Sequence, residues 1–456
     1  MIKNTKFRRL WELQVLYRQM LKIVKFGGSS VANSKQFQKV KEIVLSDNSR
    51  QFVVISASGK GENADNKITD LLFLCRAHLE YNISCDNIFD KIVERFITIK
   101  NNLNLTFDIE KELELIKNQL DKKIDTHYLV SRGEYLTSLL MAEYLGYKFA
   151  DAKDIIFFNY DGSVDYEKTK KAFTNITKEN NRLVIPGFYG SLPDNTIKIM
   201  SRGGGDVTGS IIANIINADV YENWTDVSGI LTADPRIIKN PKRINAITYS
   251  ELRELSYMGA SVLHEEAIFP VKEKNIPIHI LNTNNPQGEG TYIFDTCEDN
   301  GEEGAITGIA GKKDFTIINI TKSHMQNKLL TVKIVLDILE KFNVPVEHIP
   351  TGIDSFSVIV DSNKLKPHLH EIVLEIKKKS ETDDVTVMDE ISLIATVGRN
   401  MKRRAGISGR LFNALGRENI NIYAISQTNE EINIIVGVTN NQYENTIKTI
   451  YNEFVQ

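Results

Sequence analysis

Three glycines set between a strand pattern and a helix pattern limit the fold of this chain more than any other feature. In Ile199-Met-Ser-Arg-Gly-Gly-Gly-Asp-Val-Thr-Gly-Ser-Ile-Ile-Ala-Asn214, β-type residues lead into Gly203, Gly204 and Gly205, and Ile211, Ile212 and Ile215 then recur on one helical face. A strand that turns through glycines into a helix leaves free backbone N–H groups at the positive end of the helix dipole, which favours an anion. Two side chains enlarge the chemistry. Arg202 can grip a carboxylate through two parallel hydrogen bonds. Asp206 brings a negative charge to the helix start, where capping is its competing role.

A second glycine loop opens the same half of the chain. Leu21–Phe26 reads as a buried strand, Gly27-Gly28-Ser29-Ser30 follows, and Val31–Val44 has helical periodicity with Asn33 and Ser34 as candidate caps. The spacing is not that of a P-loop, because Lys25 precedes the glycines at the strand end, where its side chain can reach a transferred phosphoryl group. Gln51–Ser58 is the next strand, and a parallel sheet puts Ser56 at its ligand-binding edge. Thr69 is placed to cap the following helix, and residues Leu71 to Lys123 read as long polar helices. Ser131–Gly146 reads as a glycine-led helix with Glu134 in its first turn. There a glutamate stabilises the helix dipole or pairs a substrate ammonium. Leu183–Gly190 is a strand and turn, and Asp219–Arg236 gives a strand and then a loop punctuated by Gly229 and Pro235, suited to covering a nucleotide. Met258–His264 begins a further helix and Ile276–Asn282 is a strand. The alternation predicts one α/β domain with a central, mainly parallel sheet.

The acidic, glycine-bearing Cys297–Gly304 reads as a linker, and the pattern changes beyond it. Strand Phe315–Ile320, a helix near Leu329–Phe342 and strands Val344–Ile349 and Phe356–Val360 form a β-α-β-β series. Ile391–Val397, a helix near Ile407–Arg417 and strands Ile420–Ser426 and Ile432–Val438 repeat it. A repeat of roughly 75–80 residues predicts two ferredoxin-like βαββαβ units. Such pairs commonly form regulatory sites for small ligands.

Composition bounds the function. At 42% hydrophobic and 25% charged residues the chain can build ample core, and its net charge of −3 argues against a nucleic-acid or membrane binder. An anion site must therefore come from local placement. Cys75, Cys85 and Cys297 are scattered, in no metal-ligand spacing, and read as reduced thiols of a cytoplasmic protein. No apolar run approaches the roughly 18–20 residues that a membrane span requires. Residues 1–19 are basic and amphipathic, and Met20 resembles a natural start, so the leader is expected to be an extension not needed for activity.

Five motifs carry a resemblance. Lys25-Phe-Gly-Gly-Ser-Ser-Val-Ala, Ser131-Arg-Gly-Glu, Ser201-Arg-Gly-Gly-Gly-Asp, Trp224-Thr-Asp-Val-Ser-Gly-Ile-Leu-Thr-Ala-Asp-Pro-Arg and Gly259-Ala-Ser-Val-Leu-His stand in the order of an aspartokinase. The likeness extends from about Leu21 to Gln456 and includes paired ACT domains; it is closest to the monofunctional, lysine-sensitive type. It implies an amino-acid-kinase-like domain over residues 20–296, a linker at 297–313, and ACT domains at 314–390 and 391–456, the second sharing a strand from about 304–310. It implies transfer of the γ-phosphoryl of ATP, with Mg²⁺ carried by the nucleotide, to the β-carboxylate of L-aspartate. Lys25 and Asp206 would be catalytic, the second orienting the first. Ser56, Thr69, Glu134 and Arg202 would hold aspartate. Lys25, Gly27, Gly28, Ser29, Gly203, Gly204, Thr225, Asp226, Arg236 and Ser261 would hold ATP.

Leu231 and Ser261 depart from the tyrosine and lysine that many relatives carry near the nucleotide. Met325, Thr351 and Asp354 mark the expected effector region, for lysine or, as an alternative, threonine. A homodimer or homotetramer joined through the ACT domains is implied, and a fused homoserine dehydrogenase is not expected. The competing readings are another amino-acid kinase and an inactive ACT sensor.

Overall fold

The computed structural model describes residues 20–61, 66–201, 203–260, 263, 265–297, 304–322, 328–401, 404–427 and 432–455. The leader, most of the expected linker, and Arg202, Ser261 and Met325 lie outside the described residues. The chain forms two compact units. The first runs to Ile230 and takes back Asn245–Tyr249 and a segment ending at Cys297; the second holds Leu231–Ile244, a segment starting at Ser250, and the C-terminal part.

In the first unit, runs such as Phe52-Val-Val-Ile55 are apolar on both faces, as strands covered by helices on two sides must be. They build an eight-stranded sheet from β1 (Lys22–Phe26), β2 (Arg50–Ile55), β3 (Lys148–Phe149), β4 (Leu183–Pro186), β7 (Val220–Thr225), β8 (Ala246–Thr248), β9 (Ile278–Asn282) and β10 (Thr291–Phe294). The intervening β5 (Tyr189–Ser191) and β6 (Ile197–Ile199) form a separate hairpin. The sheet order is β3-β4-β2-β1-β7-β9-β10-β8, and every neighbouring pair is parallel except β9 and β10. The mainly parallel sheet of the sequence reading is thus present. Strand β1 lies between β2 and β7, so successive connections leave it in opposite directions, and its carboxyl end is where sheets of this kind bind ligands.

At the other end of β1, Glu222 is buried between Lys22 (3.0 Å) and Arg50 (2.9 Å) and accepts a hydrogen bond from Trp224 Nε1 at 2.9 Å. Burial pushes its pKa up, but the charges of Arg50 and Lys22 and their hydrogen bonds outweigh this and hold it below the usual range. This cluster ties β1, β2 and β7 together.

Three local expectations are corrected. The helix carrying Glu134 spans Thr126–Leu145, capped by Asp125, whose side chain accepts from Tyr128 N. Glu134 therefore sits in the helix interior, where it cannot serve the dipole of a first turn. Thr69 is not a cap: the helix Ile68–Glu80 has Lys67 at that position, because Ile68 N already donates to Ser58 O (3.1 Å). Met258 closes a helix rather than opening one; Tyr249–Tyr257 is helical and Gly259 follows with φ of +102°. Asn33 does cap the helix Ser34–Leu45, accepting from Gln36 N.

The second unit has a six-stranded antiparallel sheet in the order β12-β13-β11-β14-β16-β15. Its strands are β11 (Gly308–Thr321), β12 (Val346–His348), β13 (Ser355–Asp361), β14 (Asp384–Val397), β15 (Ala424–Ser426) and β16 (Asn433–Thr439). The two β-α-β-β series expected from the repeat are both there, merged through two long strands. The first half of β11 pairs with the end of β14, while residues 315–321 pair with β13 and with the start of β14. One core gathers Ile318, Ile320, Val335, Leu339, Phe356 and Ile372; the other gathers Ile309, Ile394, Leu411, Leu415, Val436 and Ile450. Alternation along each strand puts these apolar groups under the helices, as period-two patterning requires. No helix among the described residues is long and apolar enough to cross a membrane.

Candidate active site

Both glycine loops meet beside Lys25 at the carboxyl end of β1. Lys25 is buried in β1, and its Nζ stands 2.5 Å from Asp206 Oδ1. The parallel register sets Lys25 beside Asn223 on β7, and Asn223 Nδ2 donates to the same Asp206 Oδ1 at 2.9 Å. Asp206 lies in the first turn of the helix Gly204–Ile216 but does not cap it; Gly203 holds that position with φ of +79° and no side-chain bond. The carboxylate is thus free to face the lysine. Asn223, buried in its strand, was missed in the sequence reading. A polar residue inside the buried run Val-Tyr-Glu-Asn-Trp was its only signal.

Backbone without side chains lets both loops pack closely on Lys25 and Ser56. A Cβ at Gly205 would stand 2.8 Å from Ser56 Oγ and 3.4 Å from Lys25 Cε, and one at Gly27 would stand 3.5 Å from Lys25 Nζ. Lys25, Ser56, Gly27, Gly205 and Asp206 are therefore within touching distance of one small space. Gly28–Val31 forms a short 3₁₀ turn, and Gly27 N is tied to Trp224 O at 3.0 Å.

Glu134 is buried and its Oε2 has no hydrogen-bond partner. Burial pushes its pKa up to about 8, against the backbone N–H of Ala57 and the nearby charges of Arg132 and Lys25. A buried carboxyl with one idle oxygen is costly unless a ligand completes it. A cation would do so. Arg132 beside it is buried against the rings of Tyr128 (4.7 Å) and Tyr135 (4.3 Å).

Thr69 is half-buried in its helix. Thr225 ends β7 and its hydroxyl donates to Asp226 at 3.2 Å. Arg236, in the second unit, is largely exposed and forks onto Asp234 within its own turn (2.5–3.0 Å). Thr351 and Asp354 are exposed in the turn before β13, where Gly352 N donates to Ser355 O and Lys322 N to Asp354 O.

The chain is similar to known proteins in sequence and in fold. The model of the amino acid kinase family matches residues 20–282, and that of an ACT domain matches 394–454. Aspartokinase 3 of Bacillus subtilis is 34% identical, over 95% of this chain and 98% of the relative. The crystal structure of Clostridium acetobutylicum aspartate kinase superposes with a TM-score of 0.87 at 46% identity, covering 95% of this chain and 99% of that one. Escherichia coli aspartokinase III, at 25% identity, superposes in two states. Its complex with aspartate and ADP gives a TM-score of 0.72 over 95% of this chain and 99% of that one. Its complex with lysine and aspartate gives 0.74 over 96% and 100%.

Proposed function

This chain belongs to the amino acid kinase family, as an aspartokinase with ACT domains, and from that premise we propose how its own residues divide the reaction. The substrates are L-aspartate and ATP, as in the aspartate and ADP complex of the Escherichia coli relative. A β-carboxylate oxygen of aspartate attacks the γ-phosphorus, the bond from that phosphorus to the β,γ-bridging oxygen breaks, and ADP leaves with the electron pair. The products are 4-phospho-L-aspartate and ADP. The nucleophile is already ionised at neutral pH, so no general base is required. The catalytic problem is to seat two anions together and to neutralise the charge on the transferred oxygens.

The observation that carries this reading is Lys25 Nζ, fixed by Asp206 and set between two glycine loops. Its ammonium faces the phosphoryl group, and Asp206, held in turn by Asn223, aims it. Backbone N–H groups of Gly28, Ser29 and Gly203 cradle phosphate oxygens, while Gly27 and Gly204, whose N–H groups are held by Trp224 O and Ser201 O, let the backbone approach the phosphates. Glu134 takes the ammonium of aspartate, Arg202 its α-carboxylate, and Ser56 and Thr69 line the amino-acid pocket. Thr225, Asp226, Arg236 and Ser261 serve the rest of the nucleotide. ATP enters as its magnesium complex, and the ion adds neutralisation at the phosphates.

ATP-dependent aspartyl-hydroxamate formation tests the proposal. Turnover is expected with aspartate and not with glutamate or acetylglutamate, and is lost in Lys25→Ala with the fold retained. A folded Lys25→Ala enzyme with near-normal turnover refutes the assignment.

The kinase portion is assigned to residues 20–296 and the ACT portions to 314–390 and 391–456, in an enzyme that works in the cytoplasm as a homodimer or homotetramer. Lysine is the proposed effector, acting near Met325, Thr351 and Asp354. The lysine complex of the Escherichia coli relative supports this choice over threonine.

A further inference from the structure

The loop after β2 is laced to the first glycine loop by its backbone. Gly59 N donates to Gly28 O at 2.9 Å, Ser58 Oγ donates to Ala32 O at 3.1 Å, and a Cβ at Gly28 would stand 2.9 Å from Ala57 O. Nothing fits between the two segments. Across this junction stands Arg95, from the helix Asp86–Asn102, whose buried face is Phe89, Ile92, Phe96 and Ile99. Arg95 Nη1 donates to Gly59 O at 2.7 Å and Nη2 to Asn66 O at 3.3 Å, so one guanidinium holds two carbonyls at once. Both acceptors are neutral carbonyls, and among the described residues no carboxylate pairs with this arginine. Burial alone pulls its pKa down. The rigid fork of arginine is well suited to two fixed acceptors at once.

We infer that Arg95 is a positioning residue for the phosphate cradle, acting through Gly59 on the peptide plane of Gly28. A trans peptide is planar, so its C=O and N–H point in opposite directions. With the carbonyl of Gly28 fixed on Gly59 N, the N–H of Ser29 must point away from Gly59 N, and Ser29 is exposed. That N–H is one of the groups proposed to receive a phosphate oxygen, so the inference rests on the kinase reading above. Arg95 itself need not touch either substrate. It holds the donor in its working direction before the nucleotide arrives, which avoids an ordering cost at binding.

The test uses the full chain and separates KM from kcat. Losing a hydrogen bond to a charged group here is expected to raise KM for ATP about tenfold or more in Arg95→Ala, while KM for aspartate stays near the wild-type value. Beside Arg95 lies a cavity of 510 Å³, lined also by Asn33, Asn66, Lys91 and Thr98. Guanidinium ion at low millimolar concentration should enter it and restore ATP binding in Arg95→Ala, and Arg95→Lys should fall between the two. A folded Arg95→Ala enzyme with unchanged KM for ATP overturns the inference. So does a loss shared equally by both substrates and not relieved by guanidinium, which marks packing alone. If Arg95→Ala does not fold, the same KM comparison on Arg95→Gln decides. Failure of the kinase reading looks different: the wild type is inactive, or Lys25→Ala is fully active.

Discussion

Binding of aspartate should release a proton from Glu134, and this can be measured without any turnover. With a pKa of about 8, the carboxyl is mostly protonated in the free enzyme at neutral pH. An ammonium seated on its idle oxygen requires the ionised form. The apparent affinity is then the intrinsic one multiplied by the fraction ionised. That fraction makes binding weaker by about a hundredfold at pH 6, about tenfold at pH 7 and about twofold at pH 8. Aspartate affinity should therefore improve by roughly fiftyfold from pH 6 to pH 8 and then level off.

Calorimetry in buffers of different ionisation enthalpy reads the proton directly, and about 0.9 proton per aspartate is expected to leave at pH 7. The titration is done without nucleotide, because phosphate groups titrate in the same range. Glu134→Gln should remove both the release and the pH dependence, and weaken binding by about 1.5–3 kcal/mol, as for a lost hydrogen bond to a charged group. A flat wild-type profile from pH 6 to pH 8, or no proton released, refutes the reasoning.

The same carboxyl predicts a stability profile. Its folded pKa lies above the unfolded value, so nothing is lost below about pH 4.5, and the folded state weakens as pH rises from there to about 8. Apo Glu134→Gln should melt higher than the wild type at slightly alkaline pH, the two curves converging near the acid end. Removing the ammonium in Lys25→Ala should lower kcat by about a hundredfold or more, as for one lost transition-state donor. Asp206→Asn should also lower kcat in the same hydroxamate assay, because the lysine loses its charged anchor. Glu222→Ala strands Lys22 and Arg50 without their buried partner and should cost about 3–5 kcal/mol in denaturant melts, with activity per folded molecule unchanged. Lysine should inhibit the enzyme, and Asp354→Ala should shift the inhibitory concentration while leaving uninhibited turnover alone.

Much of this protein was legible in its residues. The glycine loops, the lysine before the first and the aspartate after the second stand in patterns whose chemistry is local: a strand must turn, and a helix start attracts charge. The parallel sheet was readable because strands buried on both faces are apolar throughout, and the repeated β-α-β-β periods announced the second sheet. Asn33 as a cap followed from short-range geometry alone.

Only the folded chain decided which distant groups meet. Lys25 and Asp206 are 181 positions apart in sequence, and they meet because the helix Gly204–Ile216 packs against β1, which also lies beside β7 in parallel register. That register also supplies Asn223, which no local rule singles out. Glu134 looked like a first-turn glutamate because a glycine precedes it. In fact the helix starts eight residues earlier, at Thr126, and its burial comes from packing on all sides, so the altered acidity is a tertiary property. Arg95 is one cation among many on a polar helix until folding places two carbonyls before it. Periodicity records what each segment prefers to bury, whereas a site is made where buried segments cross, and that crossing is set by the whole sheet.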